Sequence, residues 1–379
     1  MIVIQVFLGI SVVAYIFYAL ATVIAAFMWR RKSPCPPFHS ASAQPVTILK
    51  PVHGSDAQQL ANFRSFCKQD YSQFQIIFGV LDPDDIGLEA ARAVQNEFPN
   101  LDIALVSGGE VTGLNRKVCN LIQMLPHAKH NLLVLADSDM RVNPEYISQI
   151  VAPFASENIG LNTCPYRGAE ATNIVARLES IGIGADFIPS AFVGYYLSNV
   201  RFAFGSTIVI RKSVLEEIGG FEDLKDELAD DYLLASKTRL AGKEVWLSNY
   251  FVDDVIGTET VGVMWSRRLR WAKTSRAMQP LPYMGSFVTH GFALSIMFLA
   301  AVNCSEWGIM VVTIVMLVRL ISVVTNSITT NNRALLRSII LLPMSDLLSF
   351  ALFVSSLTSS RIRWRDELFR IGKGGKLTR

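Results

Sequence analysis

Two carboxylates close the stretch Asn131-Leu132-Leu133-Val134-Leu135-Ala136-Asp137-Ser138-Asp139. Carboxylate oxygens suit Mg2+ or Mn2+, and such ions commonly bridge protein carboxylates to phosphates. Asp137 and Asp139 are therefore candidate ligands of a divalent metal in a nucleotide-diphosphate site. The apolar run before them is short, unbroken and free of proline, as expected of a strand buried on both faces of a parallel sheet. Side chains alternate along a strand, so the two aspartates can leave its end on one side. The carboxyl end of a central strand is where open α/β sheets bind ligands. A polar turn capping a core strand has the same composition. Asp82-Pro83-Asp84 is a second Asp-x-Asp in the chain, at a frequency chance alone supplies.

The elements that must position these groups alternate along the chain. Val46 to Leu49 reads as a strand ended by Lys50-Pro51, and Ser55 or Asp56 can cap a helix to about Gln69. Phe74 to Leu81 is a second strand, ending at Asp82-Pro83-Asp84-Asp85. A helix to about Phe98, a strand over Asp102 to Val106 and a helix opened by Gly113-Leu114-Asn115-Arg116-Lys117 come next. Ile159 to Cys164 and Phe202 to Ile210 have strand character, and Glu217 to Phe221 is a helix end with glycine at the stop. Leu228-Ala229-Asp230-Asp231-Tyr232 opens a helix to about Ala241; acidic residues there are also ordinary partners of a helix dipole. On a further helix Arg267, Arg270 and Trp271 share one face. The alternation predicts an α/β domain built on a parallel, doubly wound sheet. Thr172 to Val200 has no assignable pattern.

Composition sets the surroundings. The chain has 379 residues, 51% hydrophobic, and a net charge of +3, so a nucleic-acid partner is not indicated. Five scattered cysteines, and histidines without metal-ligand spacing, argue against a disulfide framework or a zinc site. Ile2 to Trp29 is long and apolar enough to span a bilayer, and Arg30-Arg31-Lys32 directly after it places the next part of the chain in the cytoplasm. The predicted division is an anchor over 1–29, a linker over 30–45, a soluble domain over 46–284, membrane segments over 285–358 and a basic cytoplasmic tail over 359–379. Three apolar stretches lie near Gly285 to Val302, Trp307 to Thr325 and Ser338 to Leu357. If all three cross, the tail ends on the wrong side. Ser338 to Leu357, with Pro343 and Asp346, is the first candidate for an interfacial or re-entrant segment.

Taken together, these stretches resemble family-2-type glycosyltransferases of the GT-A fold. Within them the chain is most similar to the ceramide glucosyltransferase family (glycosyltransferase family 21) and its bacterial hopanoid-glycosylating relatives. The resemblance rests on Val46 to Pro51, Gly79 to Asp85, Gly113 to Leu121, Ala136 to Val142, Phe202 to Gly205, Ala229 to Tyr232 and Arg267 to Trp271. It implies donor contacts from Asp82, Lys117, Asp137, Asp139, Arg267, Arg270 and Trp271, metal binding by Asp137 and Asp139, and Asp231 as catalytic base. Two departures stand out. Some ceramide-acting relatives keep only the first Asp of the central motif, whereas both are present here. The residue before the base is often Glu and here is Asp230.

The implied reaction is single displacement with inversion, from a UDP-sugar to a lipid hydroxyl presented at a bilayer, in a bacterial inner membrane. A processive polysaccharide synthase shares the motifs but needs more spans. A transporter or receptor with a nucleotide-binding domain fits poorly, because intramembrane charge is confined to Arg319 and Asp346.

Overall fold

The computed structural model describes residues 2–31, 44–364 and 367–379. Most of the predicted linker, residues 32–43, lies outside them. A seven-stranded sheet forms the centre, in the order β3-β2-β1-β4-β8-β6-β9. Its strands are β1 (Val46–Pro51), β2 (Phe74–Val80), β3 (Asp102–Ser107), β4 (Leu132–Ala136), β6 (Ile159–Thr163), β8 (Thr207–Arg211) and β9 (Glu244–Leu247). Every residue of β4 is buried, because helices cover both faces of the sheet. On those faces lie α2 (Gln59–Cys67), α3 (Gly87–Glu97), α4 (Arg116–Met124), α5 (Tyr146–Val151), α8 (Lys212–Glu217) and α9 (Asp230–Leu240). Gly219 and Gly220 take positive φ after α8, the backbone that lets the helix stop there.

The sheet is mixed, which corrects the expectation of a parallel one. β3, β2, β1 and β4 run parallel, but β8 is antiparallel to both β4 and β6. A strand buried on both faces is apolar throughout, so its side chains carry no mark of direction. A small second sheet joins β5 (Met140–Arg141), β10 (Val252–Val255) and β7 (Tyr166–Ala169) beside the exit of β4.

The unassigned stretch is one helical run. It comprises α6 (Ile174–Ile181), a π-helical segment Gly182–Phe187 and α7 (Ile188–Leu197). Its glycines permit close approach: a Cβ on Gly182 would lie 2.3 Å from Arg268 Nη2. Arg268 stands on α10 (Val261–Met278), whose N-terminus is capped by Thr260.

Apolar helices pack beside this domain. α1 (Ile2–Arg31), Glu306–Thr329 and Ile339–Leu357 are each long and apolar enough to cross a membrane. Pro280–Thr289 and Gly291–Ala301 make a fourth crossing if the pair, bent by 61°, is one span. We label the helices here α11 (Pro280–Gly285), α12 (Gly291–Ala301), α13 (Glu306–Thr329), α14 (Arg333–Leu336) and α15 (Leu342–Leu357). Gln5 Nε2 donates to Ala301 O at 2.7 Å, and Thr22 Oγ1 meets Ser322 Oγ at 2.9 Å. α13 therefore runs alongside α1 in the same direction. One face of α1, with Leu8, Val12, Tyr15 and Ala19, packs on Leu294, Phe298 and Val315. Its other face leaves Ile2, Val3, Phe7 and Phe17 exposed, an apolar surface of the kind lipid covers. α15 lies against α10: Arg268 Nη2 donates to Ser349 Oγ, and Arg276 Nη2 to Ser359 O just beyond the helix.

The basic tail is folded. β11 (Arg361–Trp364), β12 (Glu367–Ile371) and β13 (Leu377–Thr378) form an antiparallel sheet. Ile362, Phe369, Ile371 and Leu377 pack with Leu228 and Leu114 of the central domain.

Candidate active site

The site lies along the carboxyl edge of β2, β1 and β4. Asp82 follows β2 and Asp137 follows β4, with β1 between them, so the two aspartates stand on one edge. Asp82 is exposed and its Oδ1 accepts the Asp84 amide at 3.0 Å.

The Gly113-x-Asn115-x-Lys117 stretch has a physical reading residue by residue. A Cβ at Gly113 would lie 2.5 Å from Lys225 O, so only glycine allows this approach. Asn115 caps α4 by accepting from Val118 N at 3.1 Å. Its amide also donates to Glu227 O at 2.7 Å and Asp230 Oδ1 at 3.3 Å, tying α4 to the loop before α9. Asn120, one turn on, donates to Gly79 O at 2.7 Å and fixes the helix over β2. Lys117 is thereby aimed at Asp137 Oδ1, 2.6 Å away. Burial opposes its charge, but Asp137 outweighs it and holds the ammonium above its ordinary range.

Gly205, just before β8, is the meeting point. A Cβ there would lie 3.3 Å from Asp231 Oδ2, 3.5 Å from Lys117 Nζ and 3.7 Å from Asp137 Oδ2. Its amide donates to Asp231 Oδ2 at 3.1 Å, and Tyr232 N donates to Asp231 Oδ1 at 2.7 Å. Burial first, and then the charge of Asp230, push the Asp231 carboxyl up to about 6. Asp231 stays partly open, whereas Asp230 is buried against Asn115. Of the pair, Asp231 is the more open to solvent.

Asp139 is open to solvent within a concave surround. Crowding by protein, then the charge of Asp137, push its carboxyl up to about 6. Its side chain has no ion-pair partner among the described residues, and a divalent cation would relieve the repulsion. No group of three or more His, Cys, Asp or Glu among the described residues is arranged to hold a metal. Asp137 and Asp139 could by themselves hold only part of a coordination shell, and Mg2+ sites of one or two carboxylates are commonly completed by phosphates and water.

The two arginines differ. Arg267 is held by Glu259 Oε2 at 2.7 Å and Glu179 Oε1 at 3.1 Å, so protein carboxylates already take the contacts expected for a donor. Arg270 has no ion-pair partner among the described residues. It lies 5.4 Å from the ring centre of Trp364, in the tail sheet. Burial, then the charge of Arg267, bring it down to about 10. Trp271 is half-buried beneath the Arg267 guanidinium, 5.8 Å from its ring centre.

The chain matches glycosyl transferase family 21 over residues 6–377. It belongs to that family. Ceramide glucosyltransferase 1 of Caenorhabditis elegans is 27% identical over 237 residues, 62% of this chain and 50% of that protein. Ceramide glucosyltransferase 3 of the same organism is 22% identical over 349 residues, 88% of this chain and 74% of that protein. The family 21 chain thus spans about half the length of one relative and three quarters of the other. A mannosyltransferase from Pyrobaculum calidifontis, solved with GDP-Man and Mn2+, shares the fold at a TM-score of 0.58 and 16% identity. That match covers 93% of this chain and 96% of that one. The family 21 chain accordingly has a GT-A-like fold and apolar helices long enough to span a membrane.

Three residues at the site escaped the sequence reading. Lys50, fully buried in β1, donates to Asp137 O at 2.7 Å, and burial lowers its ammonium to about 7. Its signal was a lysine inside an apolar strand. Burial, then the charge of Asp139, push Asp254 of β10 well above the ordinary carboxylate range. Trp364 gave no local signal, since its tail is remote in sequence.

Proposed function

We propose that this glycosyltransferase is membrane-bound and inverting, and moves glucose or N-acetylglucosamine from a UDP-sugar to a lipid hydroxyl. The acceptor is a hopanoid polyol or ceramide. The observation that carries the reading is the convergence of Asp231, Lys117 and Asp137 on Gly205, beside helices able to span a bilayer.

Asp82 contacts the uridine. Lys117 and Arg270 face the diphosphate, and Asp137 and Asp139 hold the ribose, diphosphate and a divalent Mg2+ or Mn2+. When bound, that ion supplies stabilisation of negative charge on the leaving diphosphate. The acceptor oxygen attacks the anomeric carbon as its proton passes to the Asp231 carboxylate. The bond from sugar to UDP breaks and its electron pair leaves on the diphosphate, opposite Lys117 and Arg270. One base and no enzyme nucleophile gives inversion, so an α-linked donor yields a β-glycoside. Arg267, already paired with Glu179 and Glu259, orients α10 and its Trp271 face.

The tail supports a topology. Leu377 N donates to Asp226 O at 2.8 Å, so tail and catalytic domain lie on one side of the bilayer. An even number of crossings must separate them. The bent α11–α12 pair going out and α13 returning satisfy this, with α15 lying in the interface against α10. That is the role suspected for Ser338 to Leu357, and it keeps the catalytic side cytoplasmic in a bacterial inner membrane. The three or four candidate spans among the described residues are fewer than a polymer channel calls for, which favours single transfer over a processive synthase.

The test is mass spectrometry of lipids from cells with and without the protein, with UDP release by the purified chain given lipid acceptor and each UDP-sugar. A hexosylated lipid that vanishes with the gene supports the reading. UDP release without lipid product would sink it.

A further inference from the structure

The C-terminal sheet touches the site at two places the proposed reaction depends on. Its backbone grips the loop leading to Asp231: Leu228 N donates to Gly375 O at 3.2 Å, and Leu377 N to Asp226 O at 2.8 Å. The same Asp226 accepts the Leu114 amide through Oδ1 at 3.0 Å, beside the Lys117 motif. Arg116 and Glu367 pair across the junction, and Lys273 Nζ of α10 donates to Arg361 O at 2.7 Å. Within this docked sheet, Trp364 packs on Phe369 and turns its ring to Arg270.

Arg270 is a partly buried guanidinium with no ion-pair partner among the described residues, although Asp230, Asp231 and Asp137 act on it from farther off. The like charge of Arg267, three residues away on the same helix face, acts against it. Such a cation needs something to hold it in one place until an anion arrives. An aromatic face does this without neutralising it, since the ring quadrupole attracts the cation yet leaves its N–H groups free for oxygen. A carboxylate there would compete with the diphosphate.

We propose that Trp364 is a positioning residue of the active site. The C-terminal sheet is a brace that holds Arg270 toward the donor diphosphate while it fixes the loop bearing Asp231. This rests on the donor reading above. It explains why a sheet at the far end of the chain is docked on the Lys117 motif and the Asp231 loop together.

The pair Trp364→Leu and Trp364→Phe separates the ring's role from mere packing. Both keep an apolar side chain against Phe369, but only phenylalanine offers a π face. UDP affinity with Mn2+ is measured on the full purified chain by calorimetry, in the parent and in an Arg270→Ala background. Trp364→Leu is expected to weaken UDP binding by about 10-fold, within the roughly 2- to 30-fold range of cation–π contacts, and Trp364→Phe by about 3-fold or less. In the Arg270→Ala background both should change affinity less than about 2-fold, because the coupled partner is gone. Hydrogen exchange at the Leu228 amide should stay as protected as in the parent, showing the sheet still docked. Equal losses for Leu and Phe, or the same loss with and without Arg270, would overturn the proposal. A parent that binds no UDP would instead overturn the donor reading, and this inference with it.

Discussion

Arg319 and Arg270 are both guanidinium groups withdrawn from bulk water, and the protein treats them in opposite ways. Arg319, in α13, is 8% exposed and surrounded by acceptors. Its Nε and Nη2 reach both oxygens of Asp346 at 2.7–3.2 Å, its Nη1 donates to Ala185 O at 3.0 Å, and Asp186 takes the remaining side. Asp186 accepts in turn from Ser349 Oγ at 2.7 Å. Arg270 has no ion-pair partner among the described residues and lies beside a tryptophan ring. A buried charge matched inside the protein joins elements, here the π-helical segment, α13 and α15. A charge left unmatched beside carboxylates awaits a ligand.

The same contrast divides the carboxylates, and breaking it at Asp231 should have the largest effect. Asp231→Asn keeps size and shape but removes the proposed proton acceptor. Lipid glycosylation should fall about 10²- to 10⁴-fold, the range of general-base contributions, while UDP affinity stays near that of the parent. Side-by-side transfer assays with Asp230→Asn check this. Asp230 is buried against Asn115, so its variant should cost much less. A larger loss in Asp230→Asn would move the base there.

Next comes the exchange of phenotypes between the arginines. Arg319→Met leaves two carboxylates facing each other without their cation and should cost about 3–5 kcal/mol of stability. Thermal unfolding in detergent measures it, and the protein that remains folded should bind UDP normally. Arg270→Met should change unfolding little and weaken UDP binding about 10- to 100-fold, the equivalent of about 1.5–3 kcal/mol for hydrogen bonds to a charged group. If Arg319→Met selectively lost UDP binding while staying stable, the division between matched and unmatched charge would collapse.

A smaller effect of the same kind is expected at Asp139. Asp139→Ala should lower UDP affinity about 10-fold when Mg2+ or Mn2+ is present and little when a chelator removes it. An unchanged metal response would take Asp139 out of the metal site.

The matched and unmatched groups also differ in how legible they were. Asp82 and Asp137 each follow a strand, and Lys117 and Asp231 each open a helix, so local pattern marked their places along the chain, and the structure has them there. The partners that neutralise Arg267 could not be read this way. Glu179 lies in a helical run disguised by its π-helical segment, glycines and Pro189, and Glu259 lies in the loop before α10. The direction of β8 was unreadable because burial on both faces erases alternation. The tail showed its charge but not its fold: Ile362, Phe369 and Leu377 find their apolar partners, Leu228 and Leu114, more than a hundred residues away. Local chemistry was written locally, and its neutralisation and bracing were written in distant contacts.

The smallest effect is a shift in pH. An ordinary aspartate titrates near 4, but burial and the charge of Asp230 raise Asp231 to about 6, against the pull of Lys117. A base works only when ionised. About nine-tenths of the enzyme is then competent at pH 7, about half at pH 6 and about a tenth at pH 5. Transfer at saturating donor should fall along that limb, measured by lipid product against pH. Asp230→Asn removes the like charge and should move the midpoint down, so this variant should outperform the parent in relative terms at pH 5.5. Lys117→Met removes the opposing cation and should move it up. The linkage sign gives an independent check. A carboxyl whose folded pKa is raised contributes stability that is present below about pH 4 and lost as pH rises through about 6. At pH 7 the ionised Asp231 is therefore a strain on the fold, and Asp231→Asn should unfold at a higher temperature than the parent while transferring far less sugar. At pH 4 that advantage should shrink. A variant less stable at pH 7, or an acid limb that ignores Asp230, would mean that Asp231 is held charged by partners other than those described.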